Sequence, residues 1–327
     1  MFLSGGELGA SATTGYGFRS PEERRMLGRT RRTEIESQPS WFTAALAQTP
    51  EHFDVEVEGC RIHWRAWGNP DRPPLVLVHG GAAHSGWWDH IAPFLSRTHC
   101  VIAPDLSGHG DSGYRAAYDL DTWAREVLAV STAAGADGRP TIVGHSLGGW
   151  VTATAARSYG KEIDSIVVVD SPLRQRAPEE ERLRSRPHGT TGYRTRDEII
   201  ARFRAVPAQA VTLPYVARHI ALESVRKASA GWVWKFDPAI FGENLDPESP
   251  TEQELLEDMM AQMPCRIGYL RCEAGLVPPA MAEQIRSILQ LRGPFIDLAE
   301  AGHHPMLDQP LPLVSALRVL LEFWSIT

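Results

Sequence analysis

Six short, unbroken apolar runs constrain this chain more than any other feature: Leu75–Val78, Cys100–Ala103, Thr141–Val143, Ile166–Val169, Ile267–Leu270 and Phe295–Leu298. A strand that is apolar on both faces belongs inside a sheet covered on both sides, which is the condition of parallel sheets. Helical patterns lie between the runs, at Trp88–Leu95, Leu120–Ala134, Leu147–Tyr159, Ala280–Leu291 and Pro312–Phe323. Strands alternating with helices of this length predict βαβ units, hence an α/β fold with a doubly wound, mostly parallel sheet. Ahead of it, Phe53, Val55 and Val57, then Ile62, Trp64 and Ala66, alternate with polar residues on either side of Gly59. That alternation predicts an exposed hairpin.

Two stretches fall outside the alternation. Residues 1–40 are rich in Gly, Ser, Thr and Arg without an apolar period, which predicts a mobile extension. Its basic stretch, Arg24 to Arg32, is interleaved or flanked by Glu22, Glu23, Glu34 and Glu36 and reads as a solvated segment. Trp41, Phe42, Ala45 and Leu46 follow at helical spacing, suited to a short helix docked on the domain. The second stretch, residues 171–262, carries helix-like text rich in Arg and Trp but no buried-strand run. A connection that long inside a compact domain predicts a helical lid inserted between core segments 41–170 and 263–327.

Charge and composition exclude several classes. With 33 Lys and Arg against 40 Asp and Glu, the net charge of −7 argues against a nucleic-acid partner. No apolar run approaches the roughly 18–20 residues of a membrane span. No basic segment followed by an apolar one marks the opening residues as a secretory signal. Cys60, Cys100, Cys265 and Cys272 form no C-x-x-C pair, which fits a reduced, cytoplasmic setting.

The chemistry is carried by Gly144-His145-Ser146-Leu147-Gly148, a G-x-S-x-G sequence at the junction of a predicted strand and helix. A serine on so tight a turn projects its hydroxyl above the sheet, and small neighbours let the two backbones approach. The helix that starts there aims its free N–H groups at a developing oxyanion. His79-Gly80-Gly81 follows the first buried run, so the N–H groups of Gly81 and Leu147 are the expected oxyanion donors, with Ala82 in reserve. Ala301-Gly302-His303 follows the last strand and supplies the candidate general base, His303; its neighbour His304 is the competitor.

Val78-His79-Gly80-Gly81, Asp105-Leu106-Ser107-Gly108-His109-Gly110-Asp111-Ser112, Gly144 to Gly149 and Ala301-Gly302-His303 stand in an order and spacing that resembles the α/β-hydrolase superfamily. The resemblance covers about residues 53–170 and 263–327. It implies a Ser–acid–His triad and makes Asp105–Ser112 a structural loop beside the site. In that family the acid usually follows the penultimate strand, in text like G-x-x-D-x-x-V-P. This chain reads Arg271-Cys272-Glu273-Ala274-Gly275-Leu276-Val277-Pro278, with Ala274 where the acid is expected. Two replacements remain open. Asp170 ends the strand Ile166–Val169, a position some relatives use, and is preferred; Glu273 stands one place early on the usual loop.

Aromatic residues around these motifs predict a pocket for an apolar or aromatic group, drawn from Trp87, Trp88, His145, Trp232 and Trp234. His79, His84 and His90 lack a carboxylate or cysteine at ligand spacing, and there is neither GxGxxG nor P-loop, so neither metal nor cofactor is expected. The expected partner is a small-molecule substrate, with no membrane involved. The reading is a cofactor-independent serine hydrolase that cleaves a carboxylic ester through an acyl-enzyme. Alternatives are C–C cleavage of a β-diketone-like substrate, lactone opening, an aminopeptidase activity, or a non-catalytic ligand receptor on the same fold. Epoxide hydrolysis and dehalogenation are disfavoured, since those relatives place an aspartate where this chain has Ser146.

Overall fold

The structure is a computed structural model, described here over residues 38–172, 192–241, 263–290 and 293–326. The predicted mobile extension, its basic stretch and most of residues 171–262 not covered by 192–241 lie outside the described residues.

The main sheet has eight strands among the described residues, in the order β1-β2-β4-β3-β5-β6-β9-β10. They are β1 (Glu51–Val57), β2 (Cys60–Trp67), β3 (Pro74–Val78), β4 (Cys100–Pro104), β5 (Thr141–His145), β6 (Ser165–Val169), β9 (Arg266–Ala274) and β10 (Phe295–Gly302); β7 (Val225–Ala228) and β8 (Gly231–Trp234) form a separate ribbon. From β4 to β10 every pairing is parallel. The β1–β2 hairpin adds two antiparallel strands at one edge. Its turn, Glu58-Gly59, has both φ angles positive at 49° and 74°, the geometry that suits a two-residue hairpin in a twisted sheet. Only β1 is exposed. β2 pairs with β4 on its other side and is largely buried, so the predicted exposure holds for half the hairpin.

The helices are α1 (Ser40–Leu46), α2 (Ala92–Leu95), α3 (Leu120–Ala133), α4 (Leu147–Tyr159), α5 (Arg196–Ile200), α6 (Pro214–Glu223), α7 (Pro279–Leu289), α8 (Pro305–Asp308) and α9 (Pro310–Ile326). The helix expected at Trp88–Leu95 is instead a 3-10 turn at Ser85–Trp88 followed by α2, where Pro93 takes an early helical position. Alternate residues of the parallel strands feed opposite faces. Val76, Val78, Ile166 and Val168 meet Trp123 and Val127 of α3, Val151 of α4 and Ile285 of α7. Leu75, Leu77, Val167 and Val169 meet Leu95 of α2 and Leu317 and Trp324 of α9.

The described part of the insertion is not purely helical. The run Gly231–Trp234 pairs with Val225–Ala228 as an antiparallel ribbon, because alternation of aromatic and small residues there has period 2 rather than 3.6. A third apolar cluster joins Phe42 of α1, Ala83, Trp87, Val216 and Ile220 of α6, and Leu307. α1 therefore docks as its spacing predicted.

A buried polar cluster also ties insertion to core. Arg65 on β2 donates from Nη1 to both Asp89 oxygens, each at 2.8 Å, and from Nη2 to Glu223 on α6 at 3.0 Å. His219 of α6 completes the shell of Asp89 at 2.9 Å. Burial opposes the charge on Asp89, but the His219 and Arg65 interactions outweigh it and hold the carboxyl below its ordinary 3.8. Such a depressed carboxylate stabilises the fold above its unfolded pKa and ceases to do so as pH falls through its folded one. Arg65→Met strands Asp89 and should cost about 3–5 kcal/mol at pH 7. Urea denaturation should show that gap narrowing as the pH is lowered through the carboxylate range.

Candidate active site

β5 runs into α4 with a single residue between them. Ser146 has φ 54° and ψ −119°, a strained conformation for a side-chain-bearing residue. Its neighbours explain how the turn is tolerated. A Cβ on Gly144 would fall on the Gly148 carbonyl and the Thr152 hydroxyl, and one on Gly148 would fall on the carbonyls of Val78 and His79. The N-terminus of α4 is thereby drawn against the end of β3.

Parallel register sets the next residue. His145 pairs with Val169, and the Ser146 N–H donates to the Val169 carbonyl at 3.1 Å. Asp170 follows at φ 46°, with its N–H on the Leu270 carbonyl at 2.8 Å. Strands β5 and β6 thus deliver Ser146 and Asp170 side by side at the carboxyl edge of the sheet, where sites of open α/β folds gather. His303 arrives from the end of β10. Its Nδ1–H donates to Asp170 Oδ2 at 2.8 Å, which leaves Nε2 to accept from the Ser146 hydroxyl at 3.0 Å. Hydroxyl, imidazole and carboxylate form one continuous chain of hydrogen bonds. In that arrangement an imidazole takes the hydroxyl proton as the oxygen attacks, and the carboxylate fixes the tautomer.

Asp170, preferred on sequence, makes the contact to the imidazole. Glu273 is exposed, and its Oε2 accepts from the Glu300 N–H at 2.8 Å instead. His304, the competitor of His303, turns away and donates from Nε2 to the Val206 carbonyl at 3.2 Å. Both flanking imidazoles are pushed toward neutrality. Burial, with His303 beside it, drives His304 down to about 3. Burial likewise drives His145 well below its ordinary 6.5, aided by His303 and His304.

Gly81 sits against the start of α4: a Cβ built there would lie 3.9 Å from Leu147 Cβ. The first N–H groups of a helix have no intrahelical partner, so that of Leu147 is available to a ligand. His79 braces the turn, donating from Nδ1 to the Gly80 carbonyl at 2.8 Å and accepting from the Leu106 N–H at 3.1 Å. His84 and His90 are engaged elsewhere, with Ser224 and with the Met306 carbonyl.

Most of the predicted pocket residues are placed differently. Trp88 is fully buried under the sheet with Leu75, Leu77 and Leu95, so it belongs to the core. His145 lies beneath the site and donates to the His303 carbonyl at 2.6 Å. Trp232 pairs its backbone with Tyr193 and lies under the Arg196 guanidinium. Trp234 lies beside Phe203, 6.4 Å between ring centroids. Trp87 does approach the site, its ring 5.3 Å from that of His304. The side chain that covers the Gly81 turn is Phe241, whose Cε1 lies 3.5 Å from the Gly81 Cβ position. Gln209 accepts from the His304 N–H at 3.0 Å. Phe241 is one of several aromatics of the insertion and Gln209 carries no sequence signal; tertiary packing brings both here.

The profile of the alpha/beta hydrolase family matches residues 75–316, about three quarters of the chain. The chain belongs to the α/β-hydrolase family. Among curated relatives, a serine hydrolase-like protein of Mus musculus is 31% identical over 113 residues, 34% of this chain and 36% of the relative. An uncharacterised protein of Mycobacterium tuberculosis is 36% identical over 119 residues, 35% of this chain and 33% of the relative. The match thus spans about a third of these relatives. Solved α/β-hydrolase structures extend further: E-2-(acetamidomethylene)succinate hydrolase superposes with TM-score 0.70 at 19% identity, covering 84% of this chain and 99% of that one. The thioesterase domain from the curacin biosynthetic pathway gives 0.68 at 21%, covering 83% and 99%. At such identities the likeness speaks for the fold. No helix among the described residues is long and apolar enough to cross a membrane.

An amide cannot stabilise an imidazolium as a carboxylate does, and replacing an orienting aspartate costs up to about 10⁴ in kcat. Asp170→Asn should therefore lose at least about 10² in kcat, whereas Glu273→Gln should lose less than about tenfold. Steady-state kinetics of the two purified variants check the pair.

Proposed function

We propose that this α/β-hydrolase is a serine hydrolase cleaving carboxylic esters of small apolar or aromatic compounds through an acyl-enzyme. The observation that carries this reading is the Ser146–His303–Asp170 chain, with separations of 3.0 and 2.8 Å. Ser146 Oγ attacks the ester carbonyl while His303 Nε2 takes its proton. The N–H groups of Gly81 and Leu147 receive the oxyanion; a donor of this kind typically stabilises the transition state by about 2.7–4 kcal/mol. The imidazolium, held by Asp170, returns the proton to the leaving alcohol. Water then enters, His303 deprotonates it, and the same steps in reverse order release the acid and free Ser146. The protein's own groups suffice for every step.

Phe241 over the oxyanion turn, with Phe236 at 6.1 Å from it and Leu147 beside it, supports an apolar wall for the acyl group. The insertion that carries both phenylalanines then acts as a cap. Docking of Lys235 and Asp237 on the Gly108–Asp111 loop holds that cap in place: the Gly110 N–H reaches the Lys235 carbonyl at 2.7 Å, and the Asp237 N–H reaches that of Gly108 at 2.8 Å.

A screen of p-nitrophenyl esters of graded chain length tests the reading, together with covalent labelling by a fluorophosphonate. Ser146→Ala should abolish labelling and lower kcat by a factor on the order of 10⁴–10⁶, with melting temperature nearly unchanged. Retained turnover in that variant refutes the proposal. The pH profile gives a separate check. Burial holds His304 down at about 3 and His145 well below its ordinary 6.5, so neither flanking imidazole should add a proton and the acid limb of kcat/KM should fall with the slope of one.

A further inference from the structure

The loop after β9, which in this family usually carries the acid, has another task in this chain. Asp170 is fully buried, and its carboxylate has lost the water that would solvate it. Two backbone N–H groups, one from the end of β9 and one from the loop, take the water's place: Cys272 donates to Oδ1 at 3.1 Å and Leu276 to Oδ2 at 2.9 Å. Approach this close requires a residue without a side chain, because a Cβ on Gly275 would coincide with Asp170 Oδ2, the oxygen that receives the His303 N–H. The Gly275 N–H closes the turn on the Cys272 carbonyl at 3.0 Å. Arg271 then fixes the outgoing end. Its Nε–H donates to the Val277 carbonyl at 2.8 Å, and its Nη1 reaches Asp297 on β10 at 2.9 Å.

We infer that Gly275 and Arg271 are positioning residues: they shape this loop into a backbone cradle that holds the Asp170 carboxylate on His303. The inference rests on the triad reading above and adds a role for a loop that supplies no side chain to it. An acid on β6 works in this chain because the neighbouring strand's loop solvates it.

Gly275→Ala, Arg271→Lys, Arg271→Met and Asp170→Asn in the full-length chain provide the test. Rates are expressed per site titrated with the fluorophosphonate, so that misfolded protein is not counted. Gly275→Ala pushes Oδ2 aside; kcat per site should fall at least about tenfold with KM changed less than about twofold. The acid limb of kcat/KM should also move to lower pH, since a displaced carboxylate no longer stabilises the imidazolium. Among the other groups near His303 and Asp170, burial pushes His145 and His304 down, lifts the Cys272 thiol and Tyr269 hydroxyl, and raises Asp308, whose Oδ2 accepts from the Gly302 N–H at 2.6 Å. All are common to the parent chain and Gly275→Ala, so the readout is the difference between the two limbs. Arg271→Lys, which keeps a donor near Val277, should retain more activity than Arg271→Met. The inference is overturned if Gly275→Ala keeps kcat per site within about twofold and leaves the limb in place, or if lost activity follows only the fraction of titratable sites. Full activity in Asp170→Asn instead overturns the triad reading beneath it.

Discussion

Parallel pairing in register across β5, β6 and β9 is the constraint from which the site follows. His145 lies opposite Val169, and Val169 opposite Leu270, so β5 and β6 end at one level while β9 runs past it to Ala274. β5 and β6 release Ser146 and Asp170 at that level, and the end of β9 with the turn at Gly275–Leu276 passes alongside Asp170. Their separations are set by backbone hydrogen bonds of the sheet itself, such as Ser146 N–H to the Val169 carbonyl at 3.1 Å. Packing on both faces locks this register, because a slip by one residue would turn Val167 and Val169 out of one apolar layer and into the other.

A second polar centre supports the opposite wall. Asp105 is buried at the end of β4 and accepts from the Ser85 N–H at 2.6 Å, the Asp111 N–H at 2.9 Å and His63 Nδ1 at 2.9 Å. Burial disfavours its charge, yet the hydrogen bond from His63 and the nearby His84 hold it well below the usual carboxylate range. One carboxylate thus joins the hairpin strand β2, the turn beyond Gly81 and its own loop. The family-like stretch Asp105–Ser112 is thus bonded to the turn that follows Gly81.

Legibility in the sequence followed the range of the interactions. The parallel strands and α4 were readable because their periodicity is local and uninterrupted. Ser146 and His303 were readable because each stands beside small residues at a strand end. Asp170 stood beside Glu273 as an alternative because a familiar loop lacked its acid, and the contact that favours it spans 133 positions of chain. The pocket was poorly legible. Trp88 and Trp234 look alike as letters, yet one packs under the sheet and the other stands in a ribbon of local period 2. Phe241 is one of seven aromatics in the insertion, and what picks it out, its place over Gly81, depends on how the insertion folds back.

With Ser146 as the proposed nucleophile, its backbone has a further consequence for which side chains could stand there. At φ 54° and ψ −119° a residue branched at Cβ brings its second substituent against the neighbouring peptide, a genuine outlier for threonine, valine or isoleucine. A cysteine has the same unbranched Cβ as serine and meets no such penalty. The elbow thus leaves a short evolutionary step from oxygen to sulfur chemistry and closes the equally short step, one methyl group, to threonine.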